Sequence, residues 1–152
     1  MPDPDIEVRL AKPDDLAALL ELYRHLHPLD DPLPSDGTQR DIWRAMLDQP
    51  GFSCVVGISE GSLVASCCLA IIPNLTRGGR PYALIENVVT HGDYRRRGFV
   101  KAVVSHALRW AWQSGCYKAM LLTGSKRPEV HRFYKSCGFL ADDKTGFVAR
   151  PG

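Results

Sequence analysis

The sequence predicts a single mixed α/β domain of the α+β kind, built on a mostly antiparallel sheet with helices on both faces. Three observations carry that expectation. Two apolar runs, Phe52 to Ile58 and Leu63 to Ile72, flank the tight Glu60-Gly61 turn, which is the pattern of an antiparallel hairpin at the centre of a sheet. A third run, Tyr82 to Thr90, gives way to a polar turn, three arginines, Gly98 and a long segment of helical periodicity. A short apolar run from Tyr117 to Leu122 follows that helix, so strand, helix and strand imply a parallel pair with a right-handed crossover.

Bulk properties bound the possibilities. At 152 residues the chain is large enough for one sizeable core, and 45% hydrophobic with 24% charged residues is an ordinary globular composition. A net charge of +2 is too small to argue for nucleic acid, so weight falls on the local cluster Arg95, Arg96 and Arg97. No segment approaches the roughly 18 consecutive apolar residues of a membrane span, and no membrane partner is expected. Met1 to Asp5 is acidic and lacks the layout of a secretory signal, so a cytoplasmic location is the expectation. The five cysteines are odd in number, without C-x-x-C spacing, and mostly sit in apolar runs as small hydrophobes. His25 and His27 lie two apart and do not share a helix face, so no metal is expected.

In chain order, Ile6 to Leu10 alternates as a first strand. Lys12-Pro13-Asp14-Asp15 opens a helix with proline in the first turn and acids at its positive end, and Leu16, Leu19, Leu20, Tyr23 and Leu26 follow on one face. The segment 27–37 holds three prolines and cannot continue that helix. A second helix is expected over Thr38 to Leu47, with Ile42, Trp43, Met46 and Leu47 inward, ended by Pro50-Gly51. The central hairpin comes next, with Leu63 to Ile72 buried on both faces. Residues 73–80 read as a flexible link. From Gly98 a helix carries Phe99, Val100, Val103, Val104, Ala107, Leu108 and Ala111, and Ser114-Gly115 closes it. A last helix spans about Pro128 to Ser136, ended by Gly138, and the tail from Phe139 to Ala149 is expected to supply one or two edge strands, making six or seven in all.

The chemistry concentrates where the Tyr82 strand meets the Gly98 helix. Successive backbone N–H groups in such a turn, with the positive end of the helix macrodipole, form a concave site for phosphate or pyrophosphate. Glycine at 98 admits close approach of a ligand to the backbone. The bland alternative for three arginines is a solvated basic face or a nucleic-acid patch. Glu86 is a carboxylate in an otherwise apolar strand, where burial would raise its pKa toward that of a useful base; a salt-bridged structural acid is the alternative.

Arg95-Arg96-Arg97-Gly98-Phe99-Val100 between strand and helix resembles the signature of the GNAT superfamily of acyl-CoA-dependent N-acyltransferases: arginine or glutamine, two variable residues, glycine, one variable residue, then glycine or alanine. Here Val100 takes the last place. His131-Arg132-Phe133-Tyr134-Lys135-Ser136-Cys137-Gly138-Phe139 is similar to that family's later helix ending, and the order of elements fits along nearly the whole chain. The resemblance implies one domain over residues 1–152, whose twisted sheet splays into a V at its parallel pair and is flanked by about four helices. It implies transfer of an acetyl group from acetyl-CoA to a primary amine by direct attack, the acceptor being a small molecule or a peptide. No metal and no nucleic acid enter. The rival from another class is a non-catalytic module that binds acyl-CoA.

What the family does with particular positions carries over as follows. The turn Arg95, Arg96, Arg97, Gly98, Phe99, Val100 and Lys101 would hold the pyrophosphate, and the backbone of Val88, Val89 and Thr90 would hold the pantetheine arm as an added strand would be held. The asparagine many members carry before the last helix is absent, and Ser125 or Arg127 occupies that neighbourhood. Tyr134 matches the general acid that returns a proton to the thiolate. Glu86, His131 or a water relay remains open as the base. The tail strand suggests pairing with a second copy, since an exposed edge invites it.

Overall fold

The computed structural model describes residues 5–152, which fall into two compact units, one ending at Met120 and the other Leu121–Gly152. In the first unit, β1 (Ile6–Leu10) leads through a 3-10 turn at Pro13–Asp15 into α1 (Leu16–Tyr23) and then α2 (Thr38–Asp48). The strands β2 (Phe52–Ser59), β3 (Ser62–Ile72) and β4 (Tyr82–Thr90) follow, then α3 (Phe99–Gln113) and β5 (Ala119–Met120). They make one five-stranded sheet in the order β1-β2-β3-β4-β5, antiparallel as far as β4 and parallel between β4 and β5. The expected central hairpin and the expected parallel pair are both present.

The entry to α1 is set by charge. Arg9 grips the Asp15 carboxylate with two hydrogen bonds of 2.7 and 3.1 Å, and the Lys12 N–H donates to the same group at 2.7 Å. That bidentate pair is the strong form of a charge-assisted hydrogen bond. The Arg9 guanidinium holds the Asp15 carboxyl below the ordinary carboxylate value, against the opposing effect of partial burial. Residues 13–15 are consequently a separate 3-10 turn, where the sequence suggested the first turn of the helix itself. At the other end α1 stops at Tyr23, short of Leu26, and the chain runs on as hydrogen-bonded turns in which the Leu26 and His27 N–H groups both donate to the Tyr23 carbonyl, at 3.0 and 3.2 Å.

Both faces of the sheet are covered. On one, Leu19, Leu22 and Trp43 from α1 and α2 pack with Cys54, Val56, Cys68 and Val89, and the Trp43 indole donates to the Pro13 carbonyl at 3.0 Å. On the other, Val103, Val104, Ala107 and Ala111 of α3 are fully buried. Gly57 permits that approach: a Cβ there would lie 3.0 Å from Val103 Cγ2 and 3.3 Å from Ile6 Cδ1. Gly51 is constrained more severely, with φ +77° and a Cβ that would meet the Ile71 carbonyl oxygen at 2.5 Å.

Three expectations change. Among the described residues there are five strands, where six or seven were expected. The run Tyr117 to Leu122 pairs only at Ala119 and Met120, and the tail 139–149 forms no strand. Its apolar residues are interrupted by Asp142, Asp143, Lys144 and Gly146, types depleted from sheets, and Leu140, Phe147 and Val148 are exposed. The link 73–80 is built rather than slack: the Asn74 amide donates to the Thr76 carbonyl at 3.2 Å, the Thr76 hydroxyl at 2.9 Å and the Arg80 carbonyl at 3.2 Å, around a 3-10 turn at Arg77–Gly79.

In the second unit α4 (Pro128–Ser136) begins on proline and ends at Gly138, whose φ of +100° suits glycine. Among the described residues no helix is long and apolar enough to cross a membrane.

Candidate active site

β4 organises the first unit's chemistry. Its alternation buries Ala83 and Ile85, while Leu84 and Glu86 are exposed on the opposite face, with half-buried Tyr82 in line with them. Glu86 stands opposite Cys68, yet two residues back on β3 Ser66 stands opposite Val89, so β4 carries one extra residue. That bulge contains Asn87 at φ +53°. Asparagine is one of the few residues that enters the left-handed region at small cost, and a bulge re-aims the side chains beside it. Glu86 is exposed, so the burial expected from its apolar strand is absent.

A buried sulfur supports the bulge. Hydrogen bonding with Cys54, with Tyr23, where either atom can donate, and with Asn87 holds the Cys68 thiol below the ordinary value against burial. The Tyr23 oxygen lies 3.9 Å from Cys68 Sγ. Hydrogen bonding to Cys68 and burial push the Cys54 thiol up, and burial does the same to Cys67 and Tyr23. Cys54, Cys67, Cys68 and Cys116 are buried free thiols.

The two edges of β4 differ. β3 pairs along it from Tyr82 to Thr90, whereas β5 reaches only Ala83 and Leu84. Within the first unit, the outer edge of Val88, Val89 and Thr90 therefore has no strand beside it. Val89 is 4% exposed, so its side chain belongs to the core and only its backbone is available there.

After Thr90 the chain makes a 3-10 turn at Gly92–Tyr94, an extended Arg95, a left-handed Arg96 at φ +65° and a left-handed Gly98 at φ +84°, which is the N-cap of α3. No side chain caps α3. The first N–H groups of a helix have no partner within it, so those of Phe99, Val100 and Lys101 face outward from the helix start. Phe99 is 1% exposed and Val100 half-buried, so backbone is what these two offer a ligand. The arginines diverge in role. Arg95 donates to the His25 carbonyl at 3.4 Å, Arg97 lies over the Tyr94 and Phe99 rings at 5.2 and 4.9 Å, and Arg96 is exposed.

Sequence reasoning missed what fixes this turn. His25, just beyond α1, accepts the Gly92 N–H on Nδ1 at 3.1 Å, and its ring lies 4.1 Å from that of His91. His91 in turn accepts from the Asp93 N–H at 3.1 Å. The Asn87 bulge was signalled by a lone asparagine inside a strand, but nothing near His25 in the sequence points to a turn 67 residues away.

The remaining expected residues lie in the second unit. Tyr134 is half-buried on α4, edge-on to Phe133 at 5.1 Å and Phe139 at 6.1 Å. Ser125 accepts the Arg127 N–H at 3.3 Å, and Arg127 is paired with Glu129 at 2.7 Å. His131 Nε2 sits 2.7 Å from the Ser125 carbonyl. A carbonyl only accepts, so that nitrogen carries the proton and is engaged in holding the loop. Among the described residues no group of three or more His, Cys, Asp or Glu is placed to hold a metal ion.

Comparison with known proteins identifies the family. Residues 16–139 match the model of the acetyltransferase (GNAT) family, which spans both units. A glucosamine 6-phosphate N-acetyltransferase of Trypanosoma brucei brucei is 32% identical over 142 residues, covering 92% of each chain. A solved chain from Agrobacterium tumefaciens strain C58 is 49% identical with a TM-score of 0.89, covering 95% of this chain and 99% of that one. A Trypanosoma brucei acetyltransferase structure is 30% identical with a TM-score of 0.80, covering 96% of this chain and all of that one. With a family match over most of its length and a relative 32% identical along 92% of it, this chain belongs to the GNAT family of acetyltransferases.

Proposed function

We propose that this chain transfers the acetyl group of acetyl-CoA to the amine of an amino-sugar phosphate, by direct attack while donor and acceptor are bound together. The observation that carries the donor half is the left-handed pair Arg96 and Gly98 before an uncapped α3, continuous with an unpaired stretch of β4 edge. The acceptor half rests on the trypanosomal relative, named for its action on glucosamine 6-phosphate. Acetyl-CoA supplies the acetyl group as a thioester; this chain's residues orient it and move protons.

The N–H groups of Gly98 to Lys101 meet the pyrophosphate, and the helix dipole favours its charge. Arg96 is positioned to add a cation, while Arg95 and Arg97 secure the turn. The backbone of Val88 to Thr90 takes the extended arm on its open edge, which leaves the thioester beside Glu86. Glu86, solvent-facing, draws the proton from the amine through a water. Nitrogen then bonds to the carbonyl carbon, the carbon–sulfur bond breaks, and the Tyr134 phenol gives its proton to the departing thiolate. Ser125 and Arg127 serve the acetyl-CoA arm through the loop before α4.

Two measurements test this reading. Acetyl-CoA should raise the melting temperature where inorganic phosphate at equal concentration does not. Release of CoA should be slow with acetyl-CoA alone and accelerate on adding glucosamine 6-phosphate. Stabilisation without acceleration by any amine would leave donor binding but remove the transfer.

A further inference from the structure

We propose that Cys68 is a positioning residue for the transfer: its sulfur, bonded to the Asn87 side chain, fixes the bulge of β4 and through it the direction of Glu86. The assignment rests on the acetyl-transfer reading above, in which Glu86 stands beside the thioester.

Pairing sets these groups in one row. Cys54 on β2 lies opposite Cys68 on β3, and Cys68 lies opposite Glu86 on β4, all on the face of the sheet against which α1 and α2 pack. The next pair on that face is Ser66 with Val89, two residues along β3 from Cys68 but three along β4 from Glu86. β4 takes up its surplus residue at Asn87, where φ is +53°. In a regular strand the Asn87 side chain would point away from Cys68, because successive side chains alternate between faces. It hydrogen-bonds with Cys68 instead, so the bulge has turned Asn87 onto the face that Glu86 occupies. Glu86 is itself near enough for its negative charge to oppose ionisation of that thiol.

The sulfur does more than fill space. Besides Asn87 it meets Cys54 and the hydroxyl of Tyr23, the last residue of α1, at 3.9 Å. Cys54 Sγ lies 3.6 Å from the Ser66 hydroxyl, which donates to the Val55 carbonyl at 2.9 Å. Cys68 and Ser66 are the two β3 residues that flank the change of register, and both bond to Cys54. A buried polar line therefore spans the bulge from one side to the other. Cutting its end at Asn87 frees the bulge to slip along β4, and a slip of one residue re-aims Glu86. Cys67 supplies the comparison: it adjoins Cys68 and is also buried, but it faces α3, where its thiol lies 4.0 Å from the Val103 carbonyl.

The test compares Cys68→Val, Cys68→Ser, Asn87→Gly and Cys67→Ala for kcat and KM with glucosamine 6-phosphate, for acetyl-CoA affinity by calorimetry, and for stability in urea. Cys68→Val fills the space without bonding. It should lower kcat about tenfold while the acetyl-CoA dissociation constant stays within about two-fold, as expected of a misaimed base beside an intact donor turn. Cys68→Ser restores a group that donates and accepts, and should bring kcat back to within about three-fold of wild type. Cys67→Ala should lose stability yet keep kcat within about two-fold. Asn87→Gly keeps the left-handed backbone, removes the side chain and cuts the same tie from its other end, so it should match Cys68→Val in kcat. Adding Cys68→Val to Asn87→Gly should then change kcat by less than about two-fold more. Full activity in Cys68→Val or Asn87→Gly, an equal loss in Cys68→Ser, or losses that multiply in the double variant would overturn the proposal. A second readout needs no acceptor. The Asn87 Cα and Cβ NMR shifts, which report its left-handed backbone, should move toward extended-strand values in Cys68→Val while those of Ala83 stay in place. Unmoved Asn87 shifts also overturn the proposal. Shifts that move in a chain that acetylates no amine would sink the transfer reading while the tie between Cys68 and Asn87 stands.

Discussion

Tyr134 and Asp15 show how much one side chain can decide. Tyr134→Phe removes a hydroxyl and keeps the ring that faces Phe133 and Phe139, so the fold should persist. If the phenol returns the proton to the leaving thiolate, kcat falls roughly 100-fold while the acetyl-CoA dissociation constant stays within about two-fold; an unchanged kcat would remove Tyr134 from the mechanism. Asp15 acts on stability. Its folded-state pKa lies below the ordinary 3.8, chiefly through the hydrogen bonds from Arg9. The stabilisation is therefore fully present above that ordinary value and is lost as pH falls through the folded value. Asp15→Asn should cost about 1 to 2 kcal/mol in urea unfolding at pH 7, and the difference from wild type should shrink in acid. The role of Asp15 was legible only as an acid near a helix start. Its partner Arg9 sits on the preceding strand, and local spacing does not report which side chains a turn will bring together.

At the scale of elements, the strand–turn–helix around Gly98 was readable because its requirements are local: apolar run, polar turn, glycine, apolar helix face. The part that props it up was not, because His25 reaches Gly92 only after α1 has packed on the sheet. His25→Ala should raise KM for acetyl-CoA by about five- to tenfold, the worth of one hydrogen bond in the donor-binding turn, with kcat little changed; equal KM values would show that the turn holds itself. The Asn87 bulge was half legible, since asparagine suits φ +53° but β propensity alone kept β4 regular. The strands at 117–122 and 139–149 were over-read from apolar content, which does not count the hydrogen bonds an edge can make. Gly51→Ala illustrates a backbone constraint that Pro50-Gly51 announced only as a helix stop. With φ +77° and the Ile71 carbonyl 2.5 Å from the added carbon, it should destabilise by at least about 2 kcal/mol, measured as a lower urea midpoint.

For the molecule as a whole, the class of fold and the order of strands were legible because all five strands of the sheet lie beside their neighbours in sequence. Saturation with acetyl-CoA at about 100 times its dissociation constant should add about 2.7 kcal/mol to unfolding, so the melting temperature should climb with donor concentration; a flat profile would exclude specific donor binding. The same strand order sets a timetable for synthesis. By Thr90 the chain has laid down β1 to β4 with α1 and α2, which can cover only one face. Val55, Cys67, Leu69 and Ile85 wait on the other face, the one α3 covers, and each is 1% exposed or less in the finished protein. Extending the nascent chain from Thr90 to Gln113 takes roughly 1 to 5 s at about 5–20 residues per second. During that interval the sheet presents an unroofed apolar surface to the cell, and ribosome-associated chaperones have their clearest occasion to bind.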